Sequence, residues 1–318
     1  MSIFKLDPAF KDYIWGGTRL RDEYGKKCDY DKVAESWELS CHKDGPSVVA
    51  GGEYKGLTLN EYIEKAGKGV LGKNCERFEN FPILIKLIDA KDNLSVQVHP
   101  DNDYAMRVEG EYGKTEMWYV VDCDEGATLL YGFKHEITKE EFARRIADNT
   151  LLEVTNAVPV KKGDVFFIKS GTLHAIGKGI LIAEIQQNSN TTYRIYDYGR
   201  VGKDGKPREL HVNKALDVTK LAPAEQYPET PVEKKDGYDI KLLSKCEYFT
   251  TYRVNVETKA ELDADENSFN SILVLEGEPV ISGGETVSAK KGESVFISAG
   301  TGKYTVEGKC TFVLTKID

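Results

Sequence analysis

The stretch KKGDVFFIKSGTLHAIG, residues 161–177, decides the fold, because a weaker copy of it, KKGESVFISAGTGKYTV, recurs at residues 290–306. The copies lie 129 positions apart, and Lys-Lys-Gly, Phe-Ile and Gly-Thr keep their register. A repeat of this kind predicts one fold unit that is present twice. Lys303 stands in the second copy where His174 stands in the first. The two units are therefore expected to share a fold and to differ in chemistry.

Short segments rich in β-branched and aromatic residues dominate the chain, and Gly, Asn, Asp and Pro bound them. Two segments have helical spacing instead, and each begins at a threonine followed by a glutamate three residues on. This mixture predicts a mainly β sandwich or barrel with a small helical insertion in the N-terminal half. The predicted strands are 81–90, 94–100, 116–122, 127–133, 164–170 and 179–187, and the predicted helical insertions lie at about 58–72 and 138–156.

A passage rich in proline and charge, residues 221–239, has little apolar periodicity and predicts a linker. It divides the chain into an N-terminal domain, 1–220, and a C-terminal domain, 240–318. A chain of 318 residues is long enough for two such domains.

The composition restricts the classes of partner and the cellular location that are expected for the protein. The formal net charge of −9 argues against nucleic acid and anionic membranes, which attract basic proteins. The first residues show no export signal, and no apolar run approaches membrane-spanning length, so a cytoplasmic location is expected. Six cysteines without a C-x-x-C pair indicate reduced thiols, so cysteine-bound zinc is not expected.

Four residues of the first half form a candidate metal-binding set. Gln97 and His99 are two residues apart, so a strand places both side chains on one face. Glu116 begins another apolar strand, and His174 follows a Ser-Gly-Thr turn. Two oxygens and two nitrogens suit zinc or a similar divalent ion with open positions. Each histidine alone is more typical of a structural residue, so the prediction depends on the four together.

The order and spacing of these residues resemble the cupin family. That family places two ligands two residues apart, then a glutamate, and then a glycine-rich motif that ends in histidine. The segment 163–174 fits this motif, except that Lys169 takes the usual proline position. The resemblance implies two cupin-type jelly-roll barrels. The barrel in 240–318 is expected to be metal-free, because it lacks any H-x-H or Q-x-H pair and has Lys303 in the place of the histidine.

The chain as a whole resembles type I mannose-6-phosphate isomerase in its short bacterial form. The resemblance implies interconversion of mannose 6-phosphate and fructose 6-phosphate through an enediolate, by a zinc enzyme with one ion per chain. It implies Gln97, His99, Glu116 and His174 as ligands and Arg194 as a catalytic residue. The shorter helical region leaves monomer and homodimer both open. The matching segments are 12–17, 34–40, 94–102, 113–120, 171–176, 183–200 and 210–218.

Two further residues are candidates for proton transfer and charge stabilisation. Lys114 lies two residues before Glu116 and should share its face of the strand, beside the metal. Its alternative role is that of a solvated surface lysine. Glu184 lies ten residues before Arg194 and is an acid–base candidate or a structural ion-pair partner. The residue patterns do not decide which group moves the proton.

The substrate phosphate has two candidate contacts. Ser95 lies two residues before Gln97 on the same strand face and carries a hydroxyl donor. Arg200 lies six residues after Arg194. Both are predicted as substrate-binding residues, and ordinary surface roles are the alternative.

Two other functions are compatible with a cupin. A metal-dependent oxygenase would use the open metal positions, although such sites favour histidine and carboxylate over glutamine. A non-enzymatic sugar-binding cupin would need neither a complete ligand set nor a nearby arginine. Metal analysis and activity towards mannose 6-phosphate separate these functions from the isomerase.

Overall fold

The chain folds mainly as β-strands, as its sequence predicts. The computed structural model describes residues 2–202 and 205–318, and every strand pairing within them is antiparallel. In its first two-thirds the strands are β1 (Ile3–Asp7), β2 (Ala9–Lys11), β3 (Glu35–Leu39), β4 (Val48–Val49), β5 (Ile83–Ala90), β6 (Val96–Val98), β7 (Glu116–Cys123), β8 (Thr128–Phe133), β9 (Thr155–Pro159), β10 (Val165–Ile168), β11 (His174–Ala175), β12 (Ile180–Gln187) and β13 (Tyr193–Tyr196).

The last third is made of strands, and the helices lie before it. Its strands are β14 (Val232–Lys234), β15 (Tyr238–Lys245), β16 (Thr250–Val256), β17 (Lys259–Ala264), β18 (Asn270–Gly277), β19 (Val280–Gly283), β20 (Glu285–Ser288), β21 (Ser294–Ile297), β22 (Gly302–Glu307) and β23 (Cys310–Lys316). The α-helices are α1 (Arg19–Asp22), α2 (Leu59–Ala66), α3 (Asn102–Val108), α4 (Lys139–Ala147) and α5 (Val212–Val218). Short 3₁₀ helices lie at Lys68–Leu71, Lys73–Cys75 and Leu151–Glu153.

The strands form four sheets, two in each half. In the first half a six-stranded sheet has the order β10-β7-β12-β5-β3-β2, and a five-stranded sheet has the order β13-β6-β11-β8-β9. In the second half an eight-stranded sheet has the order β14-β15-β16-β23-β18-β21-β1-β4, and a four-stranded sheet has the order β17-β22-β19-β20. The first strand of the chain thus pairs with β21 of the second half.

The sheets stack as four layers, and the central strands of the six-stranded sheet are buried on both faces. In β7, Trp118 shares a buried cluster with Leu129 of the five-stranded sheet. Its neighbour Met117 points the other way and shares a cluster with Leu273 of the eight-stranded sheet. A third cluster joins the eight-stranded and four-stranded sheets. The six- and eight-stranded sheets therefore lie back to back in the middle of the molecule.

Helices α4 and α5 cover the outer face of the five-stranded sheet. Val96 and Val98 of β6 share a cluster with Phe142 of α4 and Ala215 of α5. These helices leave the opposite face of β6, which carries Gln97, to the interior between the two sheets. Within the described residues, no helix is long and apolar enough to cross a membrane.

The predicted helices are present, and one of them is shorter than predicted. Thr58 caps α2 in a capping box with Glu61, as the sequence indicates. The helix that begins after Thr138 ends at Ala147 rather than near 156. Asn149 follows with a φ of 60°, and the chain then enters β9. This left-handed residue ends the helix, although the apolar spacing continues beyond it.

The repeat that opens the sequence is visible in the sheets. β10 and β21 lie 129 positions apart, and Ile168 pairs with Glu116 as Ile297 pairs with Asn270. Asn270 therefore occupies in the second half the place of Glu116, and its side-chain amide donates to the Tyr304 hydroxyl at 2.9 Å. The second interior is filled by apolar side chains and this neutral pair. The predicted domain limits stay a prediction, and β14 lies within the passage predicted as a linker.

A candidate metal centre and its cavity

Three adjacent strands of the five-stranded sheet bring predicted site residues into one row. Arg194 of β13 pairs with Gln97 of β6, and Gln97 pairs with His174 of β11. Paired residues on neighbouring strands point to the same face, here the interior between the two sheets. His99 lies two residues beyond Gln97 on that face, and its ring centroid is 4.7 Å from that of His174.

The two histidines present unshared nitrogen lone pairs to each other. Nδ1 of His99 lies 2.9 Å from the Thr191 carbonyl, and Nδ1 of His174 lies 2.8 Å from the Thr172 carbonyl. A carbonyl only accepts, so Nδ1 carries the proton in each ring and Nε2 keeps a lone pair. The two Nε2 atoms lie 3.1 Å apart, and neither can donate to the other. Burial lowers the pKa of His174 to about 4 and that of His99 well below its usual value, so both rings are neutral.

Glu116 closes the group from the opposite sheet. Its carboxylate oxygens lie 3.7 Å from Nε2 of His99 and 3.5 Å from Nε2 of His174. Both oxygens are fully buried and accept no hydrogen bond, although the Lys114 ammonium lies 3.0 Å from Oε2. Burial, followed by the charge of Glu184, raises the pKa of Glu116 to about 7.

This donor set fits a divalent metal ion. Within residues 2–202 and 205–318, His99, Glu116 and His174 are the one group of such side chains whose ligand atoms all lie within 4.8 Å of one another. Two lone pairs that face each other, with carboxylate oxygens 3.5 and 3.7 Å from them, are explained by a cation between the three side chains. The Gln97 amide ends 3.3 Å from Nε2 of His174, where its oxygen can serve as a fourth ligand once the amide is turned.

A buried chain of alternating charges runs across the six-stranded sheet beside the centre. Lys86 lies 3.6 Å from Glu35 and 3.1 Å from Glu184, and Lys114 lies 3.7 Å from Glu184 and 3.0 Å from Glu116. Burial would raise the pKa of Glu184, but the Lys114 and Lys86 ammonium groups outweigh it and lower that pKa to about 2. Glu184 is thus held as a carboxylate, and the Trp118 indole N–H donates to it at 2.9 Å.

A cavity of about 250 Å³ opens onto this chain and onto the centre. Of the predicted site residues, Ser95, Gln97, Lys114, Glu184 and Arg194 line it. The other three predicted ligands are buried, and His174 contacts the lining residue Gln97. A larger cavity of about 560 Å³ lies against the 222–228 segment and is lined by no predicted site residue. The smaller cavity is therefore the candidate active site.

Arg194 is held at this cavity by its backbone. Its N–H donates to Nδ1 of His211 at 3.1 Å, and its carbonyl accepts the His211 N–H at 2.7 Å. The guanidinium donates to the Glu209 carbonyl at 2.9 Å, and its buried Nε has no hydrogen-bond partner. A cavity-lining arginine with an unused buried donor suits an anionic ligand.

Arg200 lies outside the set of described side chains that line the cavity. Its guanidinium is engaged with the Asn93 carbonyl and with the carboxylate of Asp197, at 2.5 Å in the latter case. Its role as a phosphate contact stays a prediction.

Sequence reasoning missed six polar residues that line the cavity, namely Tyr13, Glu35, Lys86, Asn190, Thr192 and Arg208. Lys86 had a visible signal, because it is a single charge within the apolar run FPILIKLI. Glu35 lies in AESWELS, residues 34–40. This segment resembles the family, but the resemblance assigned no function to its glutamates. Arg208 lies in a polar loop segment, where no periodicity marks the residues that face inward.

A mainly β chain with a buried histidine–glutamate centre inside a charged cavity has the features of a metal-dependent enzyme of the cupin class. A family model described as phosphomannose isomerase type I, catalytic domain, matches residues 3–126. A second, described as mannose-6-phosphate isomerase, cupin domain, matches residues 239–317. The putative mannose-6-phosphate isomerase YvyI of Bacillus subtilis is 40% identical over 314 residues, which cover 98% of each chain. The chain therefore belongs to the type I mannose-6-phosphate isomerase family.

Solved structures agree with this assignment. The crystal structure of the mannose 6-phosphate isomerase from Bacillus subtilis matches with a TM-score of 0.93 and 38% identity over 99% of each chain. A zinc-bound mannose 6-phosphate isomerase matches with a TM-score of 0.80 and covers 100% of each chain. That relative is 17% identical, so its likeness concerns the fold.

Proposed function

We propose that this protein is a metal-dependent aldose–ketose isomerase that interconverts mannose 6-phosphate and fructose 6-phosphate. The observation that carries the proposal is the row of Arg194, Gln97 and His174, which puts a cationic side chain directly beside the ligand group. Family membership supports the substrate and the reaction. In this reaction a proton leaves C2, an enediolate forms, and a proton is returned at C1.

The proposed cofactor is one Zn²⁺ per chain, held by Gln97, His99, Glu116 and His174. The neutral histidines, and the Glu116 carboxylate oxygens 3.5 and 3.7 Å from their Nε2 atoms, support this set. Zinc at this centre supplies Lewis acidity and positive charge near the sugar oxygens. One carboxylate among four ligands leaves a net charge near +1 at the site, and a carboxylate in place of Gln97 would reduce it further.

Lys114 and Glu184 are proposed to carry the proton transfer together. Both line the cavity, and Lys114 Nζ lies 3.7 Å from Glu184 Oε1, so a cationic acid and an ionised base candidate lie side by side at the substrate. The fixed charge of Arg194 is proposed to stabilise the enediolate. Two buried partners, Trp118 and Lys86, hold Glu184 in place before the substrate binds.

Ser95 is the proposed hydroxyl contact of the substrate. It lies in the cavity lining, and its Oγ is 3.4 Å from Oε1 of Gln97. Arg200 is proposed as a basic residue for the phosphate, and the charge that it contributes beside Asp197 supports that role.

We also propose that both halves are cupin-type jelly-roll barrels, of which the second is metal-free. Two observations support this architecture. The antiparallel sheets stack in pairs, and β10 and β21, which lie 129 positions apart, occupy equivalent places in the two halves. The proposed halves are 1–220 and 240–318. A cytoplasmic location and either a monomer or a homodimer remain the predictions for the cell.

The test is a coupled assay that measures fructose 6-phosphate formed from mannose 6-phosphate, with and without a chelator, under anaerobic conditions. We expect turnover that the chelator abolishes and that zinc restores. Turnover of this substrate that persists at zero bound metal would contradict the metal-dependent mechanism. Sugar binding without turnover would indicate the sugar-binding cupin. Oxygen consumption without isomerisation, measured in a parallel aerobic assay, would indicate the oxygenase.

A further inference from the structure

A cluster of three arginines lies at the cavity around one buried carboxylate. Asp197 is 6% exposed, and it accepts from Nε of Arg208 at 2.7 Å and from Nη2 of Arg208 at 2.5 Å. The same carboxylate accepts from Nη2 of Arg200 at 2.5 Å. Arg194 is the third member, because it lies three residues before Asp197 and lines the cavity together with Arg208. Arg194 and Arg208 line the cavity, whereas Arg200 lies behind Asp197.

The cluster carries excess positive charge. Burial would raise the pKa of Asp197, but the hydrogen bonds from Arg208 and Arg200 lower it below its usual value, so the carboxylate is ionised. The Asp197 carboxylate pairs with Arg200 and Arg208, and Arg194 has no carboxylate partner in the described contacts, so the three guanidinium groups and Asp197 together carry a net charge of +2. The nearby Glu209 side chain is exposed, and its backbone carbonyl rather than its carboxylate accepts from Arg194.

The other cations of the cavity are already neutralised. Lys86 lies between Glu35 and Glu184, and Lys114 lies between Glu184 and Glu116. A dianionic group therefore gains most from the arginine cluster, where no described carboxylate offsets the second and third charges.

We infer that Arg208 makes the direct, bidentate contact to the phosphate of the substrate, and that Asp197 positions Arg208 for it. Asp197 engages Nε and Nη2, which fixes the plane of the guanidinium and leaves the Nη1 edge for a second anion. Arg200 acts through Asp197 and contributes charge without direct contact. This inference rests on the proposed function, because it assigns the phosphate end of that substrate.

The experiment measures binding of inorganic phosphate to the zinc-loaded protein by calorimetry, together with turnover of mannose 6-phosphate. Arg208→Met should weaken phosphate binding by about 10–100-fold, the scale of losing a charge-assisted pair of hydrogen bonds. The KM for mannose 6-phosphate should rise more than kcat falls. Arg208→Lys should recover part of the affinity, which shows that the protein is folded.

The matched control is Arg253→Met. Arg253 is likewise held by an aspartate, Asp239, at 2.7 Å, but it lies in the eight-stranded sheet outside this cavity. Its loss should leave phosphate binding and KM unchanged. Phosphate affinity equal to that of the parent in Arg208→Met would overturn the inference, whatever the turnover. Loss of phosphate binding in a protein whose parent has no isomerase activity would support the anion site and reject the proposed function.

Asp197→Asn tests the positioning role separately. It keeps the shape of the side chain but loses the charge that orients Arg208, so KM should rise by about 10-fold while kcat stays within about threefold. Removing a negative charge should strengthen anion binding if only net charge matters. Tighter phosphate binding in Asp197→Asn would therefore overturn the positioning role.

Discussion

At the scale of single residues, two backbone carbonyls prepare His99 and His174 as ligands. The carbonyls of Thr191 and Thr172 accept hydrogen bonds from the Nδ1–H groups of His99 and His174. Both Nε2 lone pairs are therefore directed at one point. Because burial lowers the pKa of both rings, Nε2 of each histidine is unprotonated near neutral pH and its lone pair can bind a metal ion. The centre is thus arranged for a cation by the tautomers of its histidines.

His174→Ala should remove most of the bound metal. Loss of a neutral ligand is expected to weaken metal affinity by about 10–100-fold or more, by analogy with the loss of outer-shell partners. Elemental analysis of the purified variant measures this directly. His135→Ala is the control, because His135 is exposed in the same half of the chain. Two metal equivalents in the parent, or full metal content at unchanged affinity in His174→Ala, would contradict a single N-terminal centre.

Arg194→Ala should reduce kcat by about 10²–10³-fold, the scale of losing one donor to a developing oxyanion. Its guanidinium has an unused buried donor and no carboxylate partner in the described contacts, so thermal stability and zinc content should change little. Arg194→Lys keeps the charge but loses the planar guanidinium, so its kcat should lie between those of the parent and Arg194→Ala. Steady-state constants within a factor of about two of the parent in Arg194→Ala would reject the assignment.

At the scale of elements, the turn 169–172 connects both histidines to the rest of the chain. The Gly171 N–H donates to the His99 carbonyl at 2.8 Å, and the Gly171 carbonyl accepts the Lys220 N–H at 2.8 Å. Thr172, the next residue, supplies the carbonyl that orients His174. The short β11 therefore derives its position from this turn as much as from its two strand neighbours.

Gly171→Ala should destabilise the protein and weaken its hold on the metal. Gly171 has a φ of +85°, and a Cβ there would lie 2.9 Å from the Val218 carbonyl. The left-handed backbone alone costs about 1–2 kcal/mol for alanine, and the contact adds to it. Thermal unfolding and a chelator titration measure both effects.

Gly110→Ala is the matched control for that change. Gly110 also has a positive φ, +68°, but a Cβ there would meet nothing within 4 Å. Gly110→Ala should be destabilised only by the left-handed backbone conformation, and its metal affinity should be unchanged. If the two variants release metal at the same chelator concentration, the turn does not position the ligands.

The sequence predicted those elements whose side-chain pattern is local. Periodicity and capping placed β5, β7, β12 and the start of α2, because alternation and a capping box act within a few residues. The end of α4 depended on Asn149 adopting a left-handed conformation, which apolar spacing does not encode. Arg208 faces the cavity through its pairing with Asp197, a contact between loop residues that no pattern marks.

At the scale of the whole molecule, the two halves share one core. The six-stranded sheet packs its second face on the eight-stranded sheet, with Met117 and Ile185 on one side and Leu273 and Val313 on the other. Each half thus covers apolar surface of its partner. The second half contributes stability through this layer, and its own interior holds Asn270 where the first half holds Glu116.

Deletion of residues 240–318 should give an aggregated or insoluble product, because it exposes the second face of the six-stranded sheet and removes the partner of β1. Soluble expression and size-exclusion chromatography measure this outcome. Lys303→Ala, an exposed change in the same half, should keep full solubility and turnover. A soluble, monodisperse fragment would show that the halves are independent, and loss of turnover in folded Lys303→Ala would place the second half in the active site.

The pairing of β1 with β21 also determines when the eight-stranded sheet can finish folding during synthesis of the chain. Ile3 leaves the ribosome 294 residues before its partner Ile297. At roughly 5–20 residues per second, the first strand waits on the order of tens of seconds for its place in the eight-stranded sheet. Throughout that time its apolar side chains, including Phe4 and Leu6, lack their final contacts. Nascent chains stalled before residue 294 are therefore exposed to chaperones and proteases along their oldest segment.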